Sequence, residues 1–369
     1  MEVISNAKQG APAAGKRRLL SIQALRAIAA LTVVFSHFRG TEELVLPGRT
    51  LLPSWTWVGF AAVNLFFVMS GFVTALSVQA MRGGYRDGLR FLWSRCSRIL
   101  PPYWLYTALL IVPAVLAPAT FNTVVDLPRV LSSALLWPQG ELPILMVGWT
   151  LVHEAYFYLI AALALWIVPR RHHTLCLGGW AAVTMALNIY ATDAWPAWLN
   201  LLASPFTLEF IVGIMLGKYW RCLPSSLALP AICVAAIILA TAAMGSSILD
   251  PSYGHHPGRV AILGIVSILV VLSLVQLEAS SRITPPAALV AIGNWSFSIG
   301  LSHIFVTSMM ARVWRRLGPE MPLATQAVSL AAFVAASLLI GWASYRYLEQ
   351  PFARWSKVMA FPRPHVAPR

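Results

Sequence analysis

Arg26 and His37, eleven residues apart in LRAIAALTVVFSHF, are the residues of this chain best spaced to act together on one extended molecule. Ionisable side chains in so apolar a stretch are costly and usually face a cavity or one another. At about 1.5 Å and about 100° per residue, the two lie about 16 Å apart along a helix and about 20° apart around it. They share a face. A fixed cation at one end suits an anionic head group, and an imidazole at the other suits a general base, because it titrates near neutral pH. Acyl-coenzyme A has that form, its phosphates joined to a thioester by a long thin arm. The plain alternative is a snorkelling arginine and an interfacial histidine at two helix ends.

Other polar residues interrupt apolar runs in the same way. In FLWSRCSRILPPYW, Arg95 and Arg98 stand three apart on one helical face, with Arg86 and Arg90 before them. Forked guanidinium donors suit phosphates, although the same cluster would also serve as a cytoplasmic anchor. Pro101-Pro102 is expected to fix where the helix resumes. In GWTLVHEAYFY, His153 and Glu154 lie among Trp149, Tyr156 and Tyr158. A carboxylate there would orient an imidazole, take a proton or hold sugar hydroxyls, and the aromatics suit sugar faces. SPFTLEFIVGIMLG puts Glu209, Gly213 and Gly217 on one face, the glycines for close helix packing and Glu209 into the bundle. GNWSFSIGLSH carries His303, and YRYLEQPFARW carries Glu349 and Arg354. The pairs His172-His173 and His255-His256 fall in loops with no further ligand at helical spacing, so no metal site is expected. Cys96, Cys176, Cys222 and Cys233 form no CxxC pair and read as free thiols.

The elements that must position these residues follow from composition. Of 369 residues, 58% are hydrophobic and 11% charged, where a soluble domain carries about 25% charged. Mean hydropathy is +0.71. The net charge of +14 does not point to nucleic acid, because Lys and Arg sit in short clusters between apolar runs. The expected fold is an all-α integral membrane bundle of about ten transmembrane helices. These are placed near 20–39, 57–80, 98–117, 146–168, 173–191, 199–218, 227–247, 258–278, 287–312 and 325–347. A basic cytoplasmic segment at 1–19 precedes the membrane domain at 20–348, and a cytoplasmic tail at 349–369 follows it. Lys16-Arg17-Arg18 before the first run resembles a signal peptide, but the run is long and no small-residue cleavage site follows, so it reads as a retained span. With the N-terminus inside, Lys and Arg fall nineteen in the inner segments against seven outside. Both termini are therefore expected in the cytoplasm. Arg312, Arg315 and Arg316 run against that trend, either through an error in the last two spans or as a basic patch facing an acceptor.

Taken together, these segments resemble the acyltransferase 3 family of polytopic membrane acyltransferases, from about Leu25 to Arg354. The family pattern of an Arg, ten residues and a His is matched by Arg26 and His37. Its second block is matched by Gly59 and by NLFFVMSGF, which holds Asn64 and Ser70, and its third by Phe91, Arg95, Arg98, Ile99, Pro101 and Tyr103. Trp149, Thr150, Leu151, Glu154, Phe157 and Tyr158 match the fourth, and Ser296 to His303 and Glu349-Gln350-Pro351 the last two. His153-Glu154-Ala155 departs from the two adjacent acidic residues of many members and is nearer the exopolysaccharide-modifying branch. The C-terminal hydrolase-like domain of some relatives is absent after Glu349, so transfer is expected to finish without one.

The resemblance implies a multi-pass protein of the bacterial inner membrane that moves acetyl or a similar group from acyl-coenzyme A. Its acceptors would be exopolysaccharide units, O-antigen, lipo-oligosaccharides or macrolides, free or lipid-linked. It implies His37 as catalytic and Arg26, Arg95 and Arg98 as donor-binding, and Glu154 is expected as a second catalytic residue that orients or supports the chemistry at His37. Asn64, Ser70, Trp149, Tyr158, Glu209, His303 and Glu349 are expected to support substrate or structure. The competing reading is a permease or flippase for a lipid-linked glycan or small molecule, which would show internal repeats and paired broken helices. Neither is visible in the sequence.

Overall fold

The computed structural model describes residues 19–116, 125–192, 194–245 and 256–359. The basic residues before Leu19, Pro118, His255 and the chain beyond Met359 lie outside the described residues. Thirteen α-helices and several 3-10 turns are present, with no strand among the described residues. In chain order they are α1 (Leu20–Val45), α2 (Ala62–Val78), α3 (Tyr85–Leu116), α4 (Leu127–Ala134), α5 (Gly148–Ile167), α6 (His173–Tyr190) and α7 (Ala197–Leu202). They continue with α8 (Phe206–Tyr219), α9 (Ala228–Gly245), α10 (Pro257–Ala279), α11 (Ala287–Leu317), α12 (Leu323–Ser344) and α13 (Gln350–Met359). Among the described residues, nine helical stretches are long and apolar enough to cross a bilayer. The chain is a multi-pass helical membrane protein.

The tenth expected span, 173–191, is present as α6 but is only 18 residues long. His173, Gly178, Gly179 and Asn188 dilute its apolar character. It nevertheless runs the length of its neighbour. Lys218 Nζ donates to Thr174 Oγ1 at one end (2.7 Å) and Asn188 Nδ2 to the Ala203 carbonyl at the other (3.0 Å). The span expected at 98–117 starts earlier, at Tyr85, because Pro101 and Pro102 do not break α3. Prolines inside a membrane helix are tolerated where neighbours re-satisfy the freed backbone groups.

Small residues bring the site-bearing helices together. A methyl group on Gly71 of α2 would overlap the Phe210 carbonyl of α8, and one on Gly213 would overlap the Val68 carbonyl of α2. Gly217 lies against Phe72 in the same crossing. This is the close approach that small-xxx-small spacing provides where water supplies no hydrophobic drive between helices. Gly293 likewise lets α11 lie on the Gln23 carbonyl of α1.

Helix α1 is also held at both ends. The Glu278 carboxylate of α10 accepts from Leu20 N (2.9 Å) and Ser21 N (2.7 Å), capping donors that α1 leaves open. At the far end Glu42, fully buried, accepts from Leu52 N (2.9 Å) and Gln326 Nε2 (3.4 Å).

Candidate active site

A cavity of about 330 Å³ opens between α1, α2, α3, α5 and α11. Its walls are largely apolar, with Val33, Phe60, Phe66, Phe67, Ile99 and Leu301 among them. Its polar lining is the set that the sequence singled out. Arg26, His37, Ser70, Arg95, Arg98, Trp149, Glu154, Tyr158 and His303 all face it. Residues from five helices, separated by as many as 277 positions, reach one space.

The arginines gather with Glu154. Arg26 is within electrostatic range of Arg98, Glu154 and Glu349, and Glu154 within range of Arg26, Arg95 and Arg98. Arg95 lies 5.2 Å from the ring centres of both Phe91 and Tyr158 and donates to Ser77 Oγ at 2.9 Å. Arg98 pairs with Glu349 at 3.2 Å, and the other oxygen of Glu349 accepts from Ser298 Oγ at 3.0 Å. Arg26 makes no hydrogen bond or ion pair among the described residues, which leaves its guanidinium free toward the cavity. Ser70 and Tyr158 share a hydrogen bond of 2.8 Å beside this group.

Glu349 is brought to Arg98 by a single π-turn, Tyr345–Glu349, that joins α12 to α13. The extra residue of a π-turn rotates the next helix relative to a straight continuation, and such turns recur at functional sites. Glu349 is buried behind the cavity and supports Arg98 from there. Asn64 and Glu209 are also behind the wall. Asn64 Nδ2 donates to Glu209 Oε1 at 2.6 Å across the α2–α8 crossing, inside the bundle.

His37 has different company. Its ring centre is 5.0 Å from that of His303 and 5.5 Å from that of Phe60, the latter edge-on. Phe60 belongs to a 3-10 stretch, Ser54–Ala61, that packs along α1. A methyl group on Gly59 would collide with the Thr32 carbonyl, so only glycine lets that stretch come so close. The carboxylate expected to support His37, Glu154, is grouped with the arginines and Ser70, and the group against His37 is a second imidazole. His153, next to Glu154, turns away from the cavity. Its Nδ1 meets the Trp149 carbonyl (3.0 Å) and its Nε2 meets Ser204 Oγ (3.2 Å), among Phe67, Phe157 and Phe206.

Three features have no motif to announce them in the sequence. Phe60 closes the His37 end, Glu42 fixes the loop beyond it, and Glu278 caps α1. Glu278 does follow a long apolar run, which is a sequence signal, whereas Glu42 lies beside Arg39, Thr41 and Glu43 and has none. Among the described residues no group of three or more His, Cys, Asp or Glu is placed to hold a metal ion.

Comparison with known proteins gives the family. The acyltransferase domain family matches residues 19–346. The chain is 29% identical over 303 residues to the exopolysaccharide production protein ExoZ of Rhizobium meliloti (strain 1021), covering 80% of this chain and 90% of that protein. It is 27% identical over 383 residues to the acyltransferase MdmB of Streptomyces mycarofaciens, covering 91% of this chain and 92% of that protein. No solved structure matches it. The match spans every helix that lines the cavity and contains Arg26, His37, Arg95, Arg98 and Glu154, so the chain belongs to the acyltransferase 3 family of membrane acyltransferases.

Proposed function

We propose that this acyltransferase moves an acyl group, acetyl in the simplest case, from acyl-coenzyme A to a hydroxyl of an exported or cell-surface glycan at the bacterial inner membrane. The observation that carries the proposal is one elongated cavity with three arginines grouped along it and His37 eleven residues up the same helix from Arg26. The phosphates of the donor bind Arg26, Arg95 and Arg98, with Arg26 the cation left unpaired for them. The thin pantetheine arm then follows the apolar walls toward His37. The glycan acceptor rests on the similarity to an exopolysaccharide production protein and on Trp149 and Tyr158 in the lining.

In the direct route the acceptor oxygen attacks the thioester carbonyl carbon as His37 takes the hydroxyl proton. The carbon–sulfur bond breaks, and the thiolate leaves with that proton as free coenzyme A. In the two-step route a ring nitrogen of His37 attacks the thioester carbonyl and coenzyme A thiolate leaves. The acceptor hydroxyl then attacks the acyl-imidazole, the acyl–nitrogen bond breaks, and the hydroxyl proton ends on the thiolate as free coenzyme A. Glu154 sets the charge among the arginines that bind the donor.

The test is the release of coenzyme A from acetyl-coenzyme A by purified protein in detergent, with acceptor glycan present. His37→Ala is expected to lower the rate by roughly 10²–10⁴-fold, the usual contribution of a group that moves a proton. A correctly inserted His37→Ala protein that acylates at the wild-type rate overturns the mechanism. Transport of acceptor without any release of coenzyme A would return the chain to the permease reading.

A further inference from the structure

The ring beside His37 is held in one orientation and one protonation pattern. His303 Nδ1 lies 3.1 Å from the Ile299 carbonyl, one turn earlier in α11. A carbonyl oxygen only accepts, so Nδ1 carries the hydrogen and Nε2 of the neutral ring is a bare lone pair. That Nε2 is buried and has no partner among the described residues, in a side chain only 1% exposed. A buried acceptor without a donor costs about 1–3 kcal/mol, and such a defect in a cavity wall calls for a reason. The neighbour is the imidazole of His37, with ring centres 5.0 Å apart and a tilt of 53°. At that separation, a modest turn of His37 suffices to bring an N–H of one ring toward the nitrogen of the other.

We propose that His303 is the positioning residue for His37 in acyl transfer, its bare Nε2 accepting a hydrogen bond from the imidazolium formed when His37 takes the hydroxyl proton. This rests on the reading of His37 as the group that handles that proton. A carboxylate does the equivalent task in serine hydrolase triads, orienting the base and stabilising its charged form. Here the carboxylate expected to support that chemistry, Glu154, lies among the arginines, and an anchored neutral imidazole takes the place beside the base. The proton balance is complete. It leaves the acceptor hydroxyl for one ring nitrogen of His37 while the N–H of the other nitrogen donates to His303 Nε2, and it departs with the coenzyme A thiolate, which returns His37 to neutrality.

The arrangement separates donor binding from proton handling, and the experiment uses that separation. In full-length protein, His303→Ala is expected to lower kcat by about 10²-fold, the low end for groups that handle a proton. KM for acetyl-coenzyme A is expected to stay within about twofold of wild type, because the arginines bind the donor. His303→Gln, which retains an acceptor, is expected to restore part of kcat, and added imidazole is expected to raise the rate of His303→Ala and not of wild type. An unchanged kcat in His303→Ala overturns the proposal, as does an equal loss in the Ala and Gln variants that imidazole does not relieve. Should both variants fail to insert, nitrogen-15 NMR of histidine-labelled wild-type protein decides. The proposal requires the Nδ1–H form of His303, and a ring protonated at Nε2 overturns it. His37→Ala is assayed alongside. Full activity in that variant removes the function proposed above, whereas loss in His37→Ala with none in His303→Ala removes this inference alone.

Discussion

Arg98 and Glu349 illustrate how much one pairing decides in this bundle. Glu349 is 4% exposed, whereas the Arg98 side chain is 36% exposed and opens on the cavity. Removing the arginine leaves a buried carboxylate with Ser298 alone, a loss of about 1–3 kcal/mol and more where the group stays charged. Arg98→Met is therefore expected to melt at a lower temperature in detergent than the double variant Arg98→Met/Glu349→Met, which removes both halves together. Arg26 presents the opposite case. It has no hydrogen bond or ion pair among the described residues to lose, only the longer-range attraction of Glu154 and Glu349. Arg26→Ala is therefore expected to lose less melting temperature than Arg98→Met while acyl-coenzyme A binding weakens by about 10–100-fold, the worth of one charged hydrogen bond. Isothermal titration with a non-hydrolysable donor analogue measures it. The Arg26–His37 face was legible in the sequence because helical arithmetic alone puts both on one side. The pairings Asn64–Glu209, Arg98–Glu349 and His37–His303 were not, since periodicity tells which face a residue is on and never which helix stands opposite.

At the scale of elements, two devices aim the site. The α2–α8 crossing depends on Gly71, Gly213 and Gly217, which bring backbone against backbone behind Ser70 and Asn64. Gly71→Val is expected to prevent assembly, read as loss of a monodisperse peak in size-exclusion chromatography. Gly179→Ala, at a position with open space around it, is expected to leave that peak unchanged and to stabilise α6 by up to about 1 kcal/mol. The second device is the π-turn before Glu349. Deletion of the exposed Tyr347 would restore α-helical phase and turn Glu349 by about 100°. The expected result is loss of the Arg98 pair, with weaker donor binding and a lower melting temperature. Glycine spacing announced the crossing. The π-turn had no sequence signal, because YRYLEQ reads as well for an uninterrupted helix. Pro101-Pro102 misled in the other direction. Proline dictates a missing donor, while its neighbours determine whether the helix stops.

For the whole molecule, composition sufficed to establish a membrane bundle, and charge placement to suggest its orientation. Span count depended on α6, whose polar ends lower its hydropathy without shortening its reach beside α8. In a variant with its four cysteines replaced, Thr192→Cys and Arg316→Cys are expected to react with an impermeant maleimide on intact spheroplasts. Arg171→Cys is expected to react only after lysis. Labelling of Thr192→Cys only after lysis would mean that α6 does not cross.

The two clamps on α1 bear on how the protein is made. This helix leaves the ribosome before every other described helix, yet the carboxylate that caps its start belongs to Glu278, and the amide that engages Glu42 at its far end belongs to Gln326. Until those residues have been synthesised, some 257 and 284 positions later, the start of α1 lacks its cap and its far end is held only by Leu52 and the Ser54–Ala61 stretch that follows it. A truncated nascent chain ending before α10 would hold Arg26 and His37 on the right face of a helix not yet clamped at its start. Synthesis of α10 and α12 is the event that completes the clamp on α1, so under the proposed mechanism the site is silent until then.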